Sequence, residues 1–251
     1  VSFEAHEAVL SQGSVGYQQA GEGRPVLYLH GAAGPHIGPA QEDLARSFRV
    51  CVPTLPGFDG SPTLPGVRSM PDLALLLADL IEKEIGQPCD VVGQSFGGWL
   101  ASWLAVLRPE RVQQLVLVAP AGFLPEGKAP SPGDMAKRRL VERDQADGPD
   151  RAGRVAANRE IARRYSGSVP LDRDLVARLP DLQCLTLVVM GTRDPNIPGA
   201  TGRLLREQIA RSYLTYVYGA GHVVDLDQPA RFASLITEFL TRGEAFIINW
   251  G

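Results

Sequence analysis

Little in this chain would staple it, anchor it in a bilayer or draw it to a polyanion. It carries 3 cysteines in 251 residues. Cys51, Cys89 and Cys184 stand far apart, with no Cys-x-x-Cys pair and no histidine at metal-ligand spacing. That excludes a disulfide framework and a sequence-local zinc site, and reads as three reduced thiols buried as small hydrophobes. No apolar run approaches the ~20 residues that a membrane-spanning helix needs. A formal net charge of -3 provides no electrostatic pull toward nucleic acid or an anionic membrane. The first residues, with Glu4, His6 and Glu7, lack a basic segment followed by an apolar core. These absences lead to the expectation of a soluble, cytoplasmic protein with neither a nucleic-acid nor a membrane partner.

What is present is a run of short, wholly apolar segments alternating with amphipathic ones. Strands are expected at Val26–His30, Phe48–Pro53, Asp90–Val92, Gln114–Ala119, Cys184–Met190 and Tyr213–Tyr218. Helices are expected from Pro71 to about Gly86, from Gly98 to Leu107, over Gly202–Arg211 and over Pro229–Leu240. Strands without polar alternation are buried on both faces, so the fold class is α/β, a mostly parallel sheet with helices on both sides. Residues 122–181 break the rhythm, with a Pro/Gly-rich stretch at Pro125–Gly133 and an Arg-rich helical pattern at Met135–Tyr165. They read as a helical cap inserted between two parts of one core, 1–121 and 182–251. The arginines of the cap alternate with acids, as on a solvated face. The sharper alternative is a site for a carboxylate substrate. The apolar end, Ala245–Trp250, reads as a docking segment for this domain or for a second copy in a homo-oligomer.

The chemistry starts at Gly93-Gln94-Ser95-Phe96-Gly97, which follows an apolar strand and opens a helix. A serine between glycines in that setting is a nucleophile elbow, a strained turn that lifts the hydroxyl clear of the sheet. An unassisted hydroxyl needs a base. Among four histidines, His222 in Gly219-Ala220-Gly221-His222 follows the last strand, at the sheet edge where the elbow lies. His30 also ends a strand; His6 and His36 have no supporting context. The base needs a carboxylate, and Asp194 in Gly191-Thr192-Arg193-Asp194-Pro195 lies just past another strand's carboxyl end. Asp225 and Asp227 read as surface or helix-start residues. For the oxyanion, Phe96 offers its backbone N–H, and the loop His30-Gly31-Ala32-Ala33 offers that of Ala32, with Ala33 second and beside the substrate.

With these residues in view, the chain resembles the α/β-hydrolase fold superfamily over essentially its whole length. The likeness runs through His30-Gly31, Leu55-Pro56-Gly57-Phe58, the Ser95 elbow, Gly191-Thr192-Arg193-Asp194 and Gly221-His222, in the order Ser, Asp, His. Two departures stand out. Relatives often read Pro-Gly-Phe-Gly-x-Ser where this chain has Pro56-Gly57-Phe58-Asp59-Gly60-Ser61, and Leu185 replaces a frequent proline. The resemblance implies a Ser95–His222–Asp194 triad with no cofactor or metal, acting on a small carboxylic ester. The alternatives are carbon–carbon hydrolysis as in meta-cleavage product hydrolases, and lactonase, perhydrolase or amidase activity. A non-catalytic ligand receptor on the same fold is the reading from outside enzymology.

Overall fold

The computed structural model describes residues 1–125, 148–167 and 169–247. Eight strands form one sheet: β1 (Glu4–Leu10), β2 (Gly13–Ala20), β3 (Pro25–Leu29), β4 (Arg49–Pro53), β5 (Cys89–Gln94), β6 (Val112–Val118), β7 (Leu185–Gly191) and β8 (Ser212–Val217). Their spatial order is β1-β2-β4-β3-β5-β6-β7-β8. β2 pairs antiparallel with β1 and β4, and every pairing from β4 through β3 to β8 is parallel. The hairpin β1–β2 is an addition to the sequence reading, which began the sheet at Val26. Only Ala8 and Leu10 of β1 are buried, so this strand lacks the apolar run that marks the others.

The helices are α1 (Pro39–Leu44), α2 (Met70–Leu80), α3 (Phe96–Leu107), α4 (Gly148–Ser166), α5 (Arg173–Arg178), α6 (Gly199–Gln208), α7 (Val224–Asp227) and α8 (Pro229–Arg242). α2 starts under a Ser69 cap, whose hydroxyl accepts from Asp72 N–H, and continues as a π-turn to Gly86 at φ 77°.

Strand period then builds two cores. Leu27, Leu29, Val91, Leu115, Leu117, Val188 and Met190 face α2 and α3 (Leu73, Leu77, Leu80, Leu100, Leu104). Their neighbours Val26, Tyr28, Val92, Val116, Val118, Leu187 and Val189 face α1 and α8 (Leu44, Phe232, Ile236, Phe239). Each wholly buried side chain of this size contributes about 1.5–3 kcal/mol of transfer free energy. The three cysteines lie inside this packing. Burial pushes the Cys51 thiol up to about 12 and that of Cys184 to about 11.

Between β6 and β7 the described elements are α4, α5 and a short 3-10 turn at Leu179–Asp181, with one isolated bridge between Phe123 and Leu171. α5 is tied to α3 by Asp172, whose Oδ2 accepts from the indole N–H of both Trp99 and Trp103 at 2.8 Å. α4 reaches the loop after β4, where Tyr165 donates to the Pro56 carbonyl at 3.0 Å. Arg163 and Arg164 sit exposed beside Glu160, as a solvated face requires. The Pro125–Gly133 reading beyond residue 125, and the Met135–Tyr165 pattern before residue 148, lie outside the described residues. At the other end, the 3-10 turn Gly243–Ile247 brings Phe246 against Phe239 and Tyr213, so the apolar end docks on its own domain as far as it is described.

Candidate active site

Parallel strands leave their carboxyl ends on one edge, and three of the loops there carry the expected residues. β5 ends at Gln94, and the chain turns at Ser95 (φ 52°, ψ -111°) directly into α3. This positive φ is costly for a residue with a β-carbon. It is held because Ser95 N–H donates to the Val118 carbonyl at 2.8 Å, while its own carbonyl accepts from Gly98, Trp99 and Ala121. The flanking glycines are obligatory for steric reasons. A β-carbon on Gly93 would lie 2.3 Å from the Gly97 carbonyl oxygen, and one on Gly97 2.2 Å from that of Leu29.

β8 ends at Val217 and leads to His222, whose ring comes over the elbow. Nε2 lies 2.9 Å from Ser95 Oγ, and Nδ1 lies 3.0 Å from Asp194 Oδ2. The side chain of Asp194, past β7, is almost wholly buried; its Oδ1 accepts from the N–H groups of Asn196 (2.7 Å) and Ile197 (3.0 Å). The loops of β7 and β8 touch so closely that a β-carbon on Gly191 would lie 2.1 Å from the Gly221 carbonyl oxygen. Gln94 Nε2 donates to the His222 carbonyl at 3.2 Å, tying the histidine loop to the elbow. With the carboxylate accepting at Nδ1, the ring presents the Nε2 lone pair to the serine hydroxyl. This arrangement can remove a proton from Ser95 and stabilise the resulting imidazolium.

The backbone N–H groups expected as oxyanion donors belong to the start of α3 and to the loop after β3. Phe96 N–H, at the first position of α3, has no carbonyl one turn earlier within the helix. The loop after β3 runs past the serine: a β-carbon on Gly31 would lie 3.5 Å from Ser95 Cβ. Ala32 and Ala33 follow in that loop. His30, the other strand-end histidine, is 1% exposed and locked between two backbone groups. Leu55 N–H donates to its Nε2 at 3.3 Å, so its proton is on Nδ1, which donates to the Gly31 carbonyl at 2.8 Å.

Burial pushes the His30 imidazole down to about 4, against a smaller opposing effect of the Gly31 carbonyl. The unfolded chain takes up this proton near 6.5. The stability contributed by neutral His30 is therefore complete above pH 6.5 and is lost as pH falls toward 4. Between pH 7 and 4.5, urea unfolding of the wild type should lose about 2 kcal/mol more than that of His30→Gln. Equal losses in the two proteins would remove His30 as a source of acid sensitivity.

One expectation is narrowed. Asp225 does lie in the first turn of α7, as expected, but not on the surface: it is 1% exposed, and its Oδ2 accepts from Tyr28 Oη, His36 Nε2 and Gln41 Nε2, each at 2.7 Å. Burial alone would raise its pKa, but these three donors, His36 foremost, hold it below the ordinary value. His36 thus acquires the context that the sequence did not provide. Asp227 is exposed at the end of α7 and accepts from Gly221 N–H at 2.7 Å. Asn158 of α4, which no sequence signal singled out, is buried against the loops after β3 and β4.

Comparison with known proteins agrees with this architecture. Residues 26–235 match the model of the "Alpha/beta hydrolase family". The chain is 32% identical to the 2-hydroxymuconate semialdehyde hydrolase of Pseudomonas sp. (strain CF600), over 92% of this chain and 91% of that protein. It is 29% identical to the pimeloyl-[acyl-carrier protein] methyl ester esterase of Aeromonas salmonicida (strain A449), over 90% and 99%. Among solved structures, it superposes on the meta-cleavage product hydrolase CumD of Pseudomonas fluorescens IP01 with a TM-score of 0.74 at 23% identity, over 94% and 97%. The eight-stranded sheet and this match over most of the length agree, and the chain belongs to the alpha/beta hydrolase family.

Proposed function

We propose that this hydrolase cleaves a small carboxylic ester through an acyl-enzyme on Ser95. The observation that carries the reading is the continuous line Ser95 Oγ–His222 Nε2 (2.9 Å), His222 Nδ1–Asp194 Oδ2 (3.0 Å). In this reading His222 takes the hydroxyl proton as Ser95 Oγ attacks the ester carbonyl. The N–H groups of Phe96 and Ala32 hold the oxyanion, and Ala33 lines the substrate side. His222 then protonates the departing alcohol. A water molecule, deprotonated by the same imidazole, releases the acid and restores Ser95. A ligand receptor would have no need of a serine held at positive φ against a base.

The segment 122–181 acts in this reading as a cap that roofs the site and selects the substrate. Its support is the contact of α4 with the loops after β3 and β4, and the anchorage of α5 on α3 through Asp172.

Carbon–carbon hydrolysis of a vinylogous diketone is the second reading, favoured by the name of the 32% identical Pseudomonas relative. A single comparison decides between them: kcat/KM for p-nitrophenyl acetate against that for a ring-cleavage dienoate, in wild type and Ser95→Ala. The ester reading expects Ser95-dependent ester turnover to exceed dienoate turnover by about tenfold or more, the difference a pocket makes when its contacts fit one substrate. The reverse order would replace it with the carbon–carbon reading.

A further inference from the structure

Asn158 of α4 sends its side chain into the loops after β3 and β4, and the hydrogen bonds there form a directed relay. Its Nδ2 donates to the Ala33 carbonyl at 2.8 Å and to Asp59 Oδ1 at 2.7 Å, while its Oδ1 accepts from Asp59 N–H at 2.8 Å. Both amide protons and the amide oxygen are thereby used, and the side chain is 1% exposed. Neither aspartate nor leucine can reproduce that pattern. Asp59 sits at φ 49°, a left-handed conformation that glycine adopts freely and aspartate tolerates, and the paired bonds to Asn158 hold it there. The departure at Asp59 and the buried asparagine are thus two halves of one clasp. Gly34 at φ 101° gives it room: a β-carbon there would lie 2.3 Å from Asn158 Nδ2.

The loop geometry carries this clasp to the reacting centre. In a trans peptide the C=O and the N–H point opposite ways. Pulling the Ala33 carbonyl toward Asn158 turns the Gly34 N–H back, and it donates to the Gly31 carbonyl at 3.1 Å. The Gly31 carbonyl, held also by His30 Nδ1, fixes the plane across that hydrogen bond, whose far end is the Ala32 N–H. We infer that Asn158 is a positioning residue: through two peptide planes joined by the Gly34–Gly31 hydrogen bond it aims the Ala32 N–H at the oxyanion, so α4 sets the geometry of the hole. The inference rests on the acyl-enzyme reading, in which Ala32 is an oxyanion donor.

The test uses the full chain, p-nitrophenyl acetate as substrate and end-point fluorophosphonate titration to count reactive serines, so unfolded molecules drop out. Asn158→Asp keeps shape and acceptor but has no proton for Ala33, and Asn158→Ser is a smaller change should the aspartate variant fold poorly. Each should lower kcat per titrated serine about 10- to 100-fold with KM within about threefold, less than the loss of an entire oxyanion donor. The exchanged pair Asp59→Asn with Asn158→Asp restores an amide–carboxylate contact between the two positions while leaving the Ala33 carbonyl without its donor. It should recover Tm but not kcat. Recovery of kcat by the exchange, or single variants within about twofold of wild type per titrated serine, would make Asn158 structural only and overturn the inference. Wild type that takes no label defeats the acyl-enzyme reading instead, which is a separate outcome.

Discussion

Replacing Ser95 with alanine should lower kcat for p-nitrophenyl acetate by about 10⁴-fold or more, with Tm within a few degrees of wild type. The hydroxyl is the only atom that changes. The bonds that hold the strained turn, Ser95 N–H to the Val118 carbonyl and the Ser95 carbonyl to Gly98, Trp99 and Ala121, belong to the backbone and survive. Substrate binding and the Phe96 N–H remain too, so a small rate above water should persist. Steady-state kinetics beside a thermal melt checks both halves. Retained turnover would move the nucleophile elsewhere.

Exchanging Asp194 for asparagine is expected to cost nearly as much, about 10⁴-fold in kcat, for a different reason. Oδ1 of Asp194 already accepts from the N–H groups of Asn196 and Ile197, so an asparagine keeps its oxygen there and turns its NH₂ toward His222. Two donors then face each other at Nδ1 unless the imidazole proton moves to Nε2, where it blocks acceptance from the serine. The fold should be unaffected, because the two backbone bonds to Oδ1 persist. A kcat within tenfold of wild type, measured under substrate saturation, would point to a different acid.

These residues were legible before any coordinates because the fold writes them at strand ends. A strand buried on both faces is a continuous apolar run, and its carboxyl end is marked by the glycine that stops it, as at Gly191 and Gly219. Ser95, Asp194 and His222 each sit within five residues of such an end, and the structure brings them into one line. β1 carries no apolar run to read, because its outer face is solvated and only two of its side chains are buried. The burial of Asp225 is not legible because a place at a helix start says nothing of direction: a four-residue helix turns it onto Tyr28, His36 and Gln41. Asn158 left no trace at all. It lies between Ala157 and Arg159 in a helix of mixed polar pattern, and its role depends on loops about 100 residues away in the chain. The visible half of that clasp was Asp59, an acidic residue where a glycine is frequent, which is a signal that a partner exists and none about where.

The proposed reaction requires Ser95 Oγ to be the atom that becomes acylated. Incubation of the folded protein with a fluorophosphonate, followed by intact mass and peptide mapping, tests that directly. One adduct per chain on Ser95, absent when His222 is replaced by alanine over the same time course, is the expected result. Folded protein that takes no adduct, or carries it on another residue, contradicts the account.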